Sequence, residues 1–273
     1  MKTKALLFVT FLILVRTSFG ASVSFDNFTS STNNDLLSNF QFNSGLDYEQ
    51  VTSGGITGGA VDVPFTNAAN AVLSTESFSN LPGTFISASM VVKLGINSTS
   101  DPGKLVIELG IFGAQTSGKG EDHVGVGILA TSGSNLAGWS NSRLGFNTDF
   151  VEGSAFAGTL GTWYRLTLGF ANLGGNDIQL SGSIHSLGTS GTATPNLIRT
   201  WNRNYNNPSV GSDPEVHVAF FGQGIVGADL FDNFSAVPEP SAIALLLISG
   251  VTLFARRRKG LAPQGACEMS SHL

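Results

Sequence analysis

The chain has 273 residues, 12% of them charged, with 34 glycines, 20 phenylalanines and a single cysteine. That length fits one or two domains, and the charged share is about half the ~25% of ordinary soluble proteins. An apolar content of 41% supports a core and excludes general disorder, while low charge and a net −5 exclude a coiled coil and a nucleic-acid binder with a basic face.

In chain order, residues 1–20 read as a secretory signal peptide. Lys2 and Lys4 begin it, an apolar run from Ala5 to Val15 follows, and Ser18 and Gly20 occupy the −3 and −1 places of a cut before Ala21. The apolar run is too short for a span, which needs ~20 residues. Residues 21–235 then show period-two alternation and little helical periodicity. Candidate strands are Phe85 to Leu94, Lys104 to Phe112, His123 to Leu129, Thr162 to Phe170, Asp177 to His185, Glu215 to Phe221 and Ile225 to Phe234. Turn signals separate them, the clearest being Asn172-Leu173-Gly174-Gly175-Asn176-Asp177. The glycine-rich stretch Ser53 to Gly59 reads as a loop, not a linker. About a dozen short strands with no internal break predict one all-β domain, a jelly-roll-type β-sandwich. Phe25-Asp26-Asn27-Phe28 recurs as Phe231-Asp232-Asn233-Phe234, which suggests that the first and last strands lie side by side.

Residues 236–259 form a three-part segment. Val237-Pro238-Glu239-Pro240 is followed by an apolar stretch over 241–255 and then by Arg256-Arg257-Arg258-Lys259. At ~1.5 Å per residue that stretch makes a helix of ~22 Å, short of the ~30 Å hydrocarbon core. The basic cluster should stay on the cytoplasmic side and leave the domain outside. This order resembles the PEP-CTERM sorting signal, also called the ice-binding protein C-terminal segment. The resemblance implies a Gram-negative bacterial protein processed by an exosortase near the Pro-Glu-Pro and sent to the cell surface or exopolysaccharide matrix. It carries no implication of ice binding. Residues 260–273 extend past the usual end of such a signal and read as a disordered tail.

With both ends set aside, the exported part keeps 7 of 14 basic and 17 of 19 acidic residues, so its charge is 7 − 17 = −10. That argues against nucleic acid and anionic lipid as partners and permits divalent cations. Cys267 lies in the tail, so cysteine catalysis and zinc–thiolate sites are excluded from residues 21–235. The Phe-Asp-Asn-Phe strand running into the sorting segment, with Thr162-Trp163-Tyr164-Arg165-Leu166 before it, resembles exported concanavalin-like (laminin-G-like) sandwiches. This implies a lectin-type scaffold and glycan contact.

No nucleophile elbow, zinc helix, phosphate loop or dinucleotide fingerprint occurs. Glu108 has Gly110 and Phe112 at i+2 and i+4, so its own strand supplies no second acid for glycosidase chemistry; it is expected to pair with an arginine or lie at a sheet edge. Glu121-Asp122-His123 reads either as a polar loop tip or as a cation or acid–base cluster, the loop tip being the simpler. His185 and His217 read as strand-face side chains. No cofactor is required. Calcium is the more plausible metal, held by Asp26 and Asp232 if their strands pair, although solvation of both carboxylates at strand edges explains them without any ion. For glycan binding the candidates are Trp139, Trp201 and Tyr205, each beside Asn or Arg, unless the indoles pack under loops. The leading expectation is a non-enzymatic surface or matrix protein associated with exopolysaccharide or adhesion. The alternatives are a lectin, or a glycoside hydrolase using Glu108 with an acid such as Glu121 or Asp149.

Overall fold

A computed structural model describes residues 23–25, 40–42, 49–51, 53–56, 58–63, 71–95, 106–113, 122–130, 135–144, 147–159, 161–223 and 229–239. All belong to one compact unit, Phe19–Glu239. In chain order the early strands are β1 (Val23–Phe25), β2 (Phe40–Phe42), β3 (Glu49–Val51), β4 (Ala60–Val63), β5 (Ala71–Ser74), β6 (Phe78–Ser79), β7 (Phe85–Lys93) and β8 (Val106–Gly113). There follow β9 (His123–Ala130), β10 (Asn135–Leu144), β11 (Asn147–Ala157), β12 (Trp163–Gly174), β13 (Asp177–Ser186) and β14 (Asn196–Asn206). A short helix α1 (Pro208–Ser212) precedes β15 (Glu215–Gln223) and β16 (Asp229–Glu239).

The strands form two antiparallel sheets. One runs β14-β13-β12-β7-β16-β4-β3 with β1 also on β16; the other runs β11-β10-β9-β8-β15-β5-β2 with β6 also on β15. Alternate residues of each face one core, including Ile86, Met90, Leu166, Phe170 and Leu180 from the first sheet and Leu109, Val124, Val126 and Phe220 from the second. The chain is a β-sandwich, as its alternation predicts. The hairpin β12–β13 turns through Gly175 and Asn176, both at positive φ (62° and 77°). Two left-handed residues give the turn whose twist matches its strands, which is why Gly and Asn stand there.

The first and last described strands meet. β1 pairs with β16, Phe25 opposite Phe234. In a regular strand Phe231 and Phe234, three apart, would point to opposite faces. Both are nevertheless buried in the same core, where Phe220 packs against them at 5.2 and 5.6 Å between ring centroids. A bulge between Asp232 and Ser235, with Asn233 at φ 49°, supplies the extra residue that returns Phe234 to the core. β16 continues through Val237, Pro238 and Glu239, opposite Ser87, Ile86 and Phe85 of β7. The last strand therefore takes in the first three residues of the Val-Pro-Glu-Pro motif and ends four residues beyond 235.

Residues 135–144, 147–157 and 196–206, which are not among the candidate strands named from the sequence, are strands; the first contains Trp139 and the third Trp201. At one end of the sandwich, buried asparagines hold α1 in place. Asn172 Nδ2 donates to the carbonyls of Asn80 (2.6 Å) and Gly211 (3.0 Å), and Asn80 Nδ2 donates to those of Val210 and Asp213. Asn207 caps α1 by accepting from Val210 N at 3.0 Å. Among the described residues no helix is long and apolar enough to cross a membrane; the signal segment 1–20, residues 240–259 and the tail 260–273 lie outside them.

Candidate functional site

The second sheet carries an unusual outward face. Val124, Val126 and Ile128 of β9 point into the core, so His123, Gly125 and Gly127 point away from it. In register, β8 places Glu108, Gly110 and Phe112 opposite Gly127, Gly125 and His123. On the other side β10 sets Trp139 and Asn141 opposite Gly127 and Gly125. The glycines leave a bed without side chains, and larger neighbours lie across it. A Cβ on Gly125 would strike the Glu108 carboxylate, 2.6 Å from its Cδ, and one on Gly127 would stand 2.7 Å from Trp139 Nε1.

On this bed sits a buried polar constellation. Glu108 is 0% exposed, His123 2% and Asn141 4%. His123 Nε2 lies 3.1 Å from Glu108 Oε1 and 3.2 Å from Asn141 Nδ2. One ring nitrogen cannot donate to the carboxylate and accept from the amide at once. With its proton on Nε2, His123 donates to Glu108, and Asn141 must turn its Oδ1 inward. Asn141 Oδ1 has no partner in the orientation shown. With Nε2 bare, it accepts from the Asn141 amide. The position of one proton therefore sets the whole arrangement. Phe112 fixes the imidazole plane by stacking on it, centroids 4.7 Å apart and 16° between planes. Asn207 Nδ2 reaches toward the His123 carbonyl at 3.5 Å and donates to Ser142 Oγ at 3.1 Å.

Chemically this is an acid–base pair sealed from solvent. Glu108 is not at an open edge: its described neighbour is a histidine on the adjacent strand, in the middle of a sheet. His123 is likewise no loop tip. Of its sequence neighbours, Asp122 accepts from Ser209 Oγ at 3.0 Å, and Glu121 lies outside the described residues. The other described carboxylate of this face, Glu215 at the start of β15, is exposed and accepts from Ser77 Oγ at 2.9 Å, whereas retaining glycosidases need two carboxyl groups about 5 Å apart.

Trp139, Trp201 and Tyr205 are only 2%, 8% and 5% exposed, so none presents an open ring to a sugar. Trp201 and Tyr205 belong to the core between the sheets. The Trp201 indole is admitted by glycines, since a Cβ on Gly138 would come within 2.5 Å of its Cζ2. Tyr205 reaches across the core to Ser140, with 2.7 Å between hydroxyls. Asp26 lies outside the described residues. Asp232 is buried, and its carboxylate accepts from Ile56 N and Asn233 N, each at 2.7 Å. It thus ties the 53–59 loop to the closing strand. Among the described residues no three His, Cys, Asp or Glu side chains gather as a metal site. His185 and His217 lie on strand faces, His217 Nδ1 donating to the Ser74 carbonyl at 2.7 Å.

The fold is a concanavalin-like sandwich. Peanut lectin superimposes with a TM-score of 0.50 at 15% identity, over 80% of this chain and 97% of that one. Lectin II from Ulex europaeus gives 0.51 at 12% identity, over 81% and 99%. The PL-14 alginate lyase from Aplysia kurodai gives 0.54 at 12% identity, over 80% and 98%. At such identities the likeness is one of fold, and it includes both binders and an enzyme. No family model matches the sequence, and no curated protein matches it significantly.

Proposed function

We propose that this chain is an exported surface or matrix protein. In this reading the PEP-CTERM-like segment delivers a concanavalin-like sandwich, an exosortase-type enzyme processes it, and the sandwich associates with extracellular polysaccharide without acting on it. The observation that carries the reading is the junction at Glu239. The sandwich's own closing strand contains Val237, Pro238 and Glu239, so a folded cargo abuts the sorting motif without a linker. The non-catalytic part is supported by burial, since a sealed Glu108–His123 pair cannot touch a polymer. Membrane and extracellular fractions of the native host should contain the protein, and mass spectrometry should find an N-terminus at Ala21 and a C-terminus trimmed near Pro240. Recovery of the intact chain from the cytoplasm would overturn the reading.

A further inference from the structure

The outward face of the first sheet differs in kind from that of the second. Core residues Ile86, Ala88 and Met90 of β7 fix Phe85, Ser87 and Ser89 as outward, and register carries that assignment across three more strands. One row reads Phe85, Ala171, Gln179, Asn204 from β7 to β14. A parallel row reads Ser89, Thr167, Ser183, Thr200. Between them lie Ser87, Gly169, Ser181 and Asn202. All are half-buried or exposed, and none is charged. Strands ~4.8 Å apart and residues ~3.4 Å apart make this a patch of about 14 by 14 Å. Solvated sheet faces ordinarily mix Lys, Arg, Glu and Asp among their polar residues.

The patch is also ordered. Thr167 and Ser183 hydroxyls lie 2.6 Å apart, and Gln179 Nε2 donates to Asn204 Oδ1 at 3.2 Å. Phe85 lies over Gly169, where a Cβ would stand 3.0 Å from its Cζ and strike Ser181 Oγ. A half-exposed ring beside a fixed pair of amides and a hydroxyl row is what a pyranose needs: an apolar platform and groups that align its hydroxyls.

We propose that this face binds a neutral polysaccharide, with Phe85 as platform and Gln179, Asn204 and Ser181 as the hydroxyl-aligning groups. The inference rests on the extracellular reading above and adds the face and the ligand class. Charge selects the occupant. The exported part carries −10, the patch offers no cation to a polyanion, and the charged positions that flank it in register are Arg165 beside one row and the acids Asp177 and Glu239 beside the other. A neutral glycan is the extracellular polymer that neither repels the domain nor needs a counter-charge.

The test is a glycan microarray of neutral and acidic polysaccharides probed with the full chain and with Phe85→Ala and Gln179→Ala. Gln179 is half-exposed and away from the core, so that variant keeps the wild-type melting temperature even if Phe85→Ala does not. Binding to neutral glycans that Gln179→Ala weakens about tenfold, or 1.4 kcal/mol, is the expected result. Neutral binding unchanged in both variants overturns the face. Binding to acidic glycans alone, or to none, overturns the ligand class. Each of these leaves the export reading to be decided by fractionation.

Discussion

Deleting one partner of the Glu108–His123 pair should be far more costly than deleting both. Both groups are essentially without solvent contact, and their polar atoms meet at 3.1 Å. His123→Leu leaves the Glu108 carboxylate buried without its imidazole, and breaking a buried pair in this way costs about 3–5 kcal/mol. Loss of the Phe112 stack adds about 0.5–1.5 kcal/mol, offset in part by the packing of the new leucine. Glu108→Leu leaves the imidazole and the Asn141 amide to each other and should cost less. The double variant replaces the ion-sized hole in an apolar, glycine-floored face with hydrocarbon, and such replacements are about neutral. For a domain of this size each kcal/mol moves the midpoint by about 2–4 °C, so His123→Leu should melt roughly 6–20 °C lower while the double variant nearly recovers. Urea unfolding of the four proteins closes a double-mutant cycle. A coupling energy below about 0.5 kcal/mol would refute the reasoning, because the two groups would then be independent.

Gly125→Ala should destabilise by about 1–3 kcal/mol by forcing the Glu108 side chain off His123, and the loss should shrink when Glu108 is already Ala; equal losses in both backgrounds would count against the contact. Asn172→Ala strands the Asn80 and Gly211 carbonyls and should cost about 3 kcal/mol in urea unfolding. Asn172→Asp should cost more, since a carboxylate would then face those carbonyl oxygens. Burial raises the pKa of the Tyr164 phenol above its ordinary value, the N–H of Thr159 offsetting this only in part. The folded state therefore holds that proton longer than the unfolded state: the contribution is intact below about pH 10 and is lost as pH rises through the folded value. Tyrosinate absorbance should show a late-titrating group that Tyr164→Phe removes; a titration identical in that variant would refute it.

Much of the fold was legible because its strands alternate cleanly. Tyr164, Leu166, Leu168 and Phe170 are all buried as their spacing requires, and Gly175-Asn176 turns where the signal stood. Strands β10 and β14 were not legible for a physical reason. In β14 only Trp201 and Tyr205 are apolar and buried, four residues apart, and in β10 Ser140, Asn141 and Ser142 are buried polar residues. They are tolerable there because other elements supply partners: Tyr205 for Ser140, His123 for the Asn141 amide nitrogen and Asn207, the cap of α1, for Ser142. The rings beside Asn and Arg are therefore buried, Trp201 and Tyr205 in the core and Trp139 on the glycine bed, instead of serving as sugar platforms. The ring with a half-open face, Phe85, sits in a strand whose sequence reads as ordinary alternation.

The constellation was missed because register is not written in one strand. Examining Glu108 against its own i+2 and i+4 neighbours, glycine and phenylalanine, correctly finds no acid there, yet those residues are the reason something else fits. A glycine on an outward position removes a side chain and makes room for a neighbour's, and Gly110, Gly125 and Gly127 do so on two paired strands. The pattern His-Val-Gly-Val-Gly was visible as a strand with an empty outward side. What fills such a side depends on which strand pairs with it and with what offset. The echoed Phe-Asp-Asn-Phe makes the complementary point. It correctly pointed to the pairing of the first and last described strands, but rings three apart share a core only through the bulge at Asn233. At the same bulge the Asp232 carboxylate accepts from the amides of Ile56 and Asn233, so one local irregularity returns Phe234 to the core and fastens the 53–59 loop.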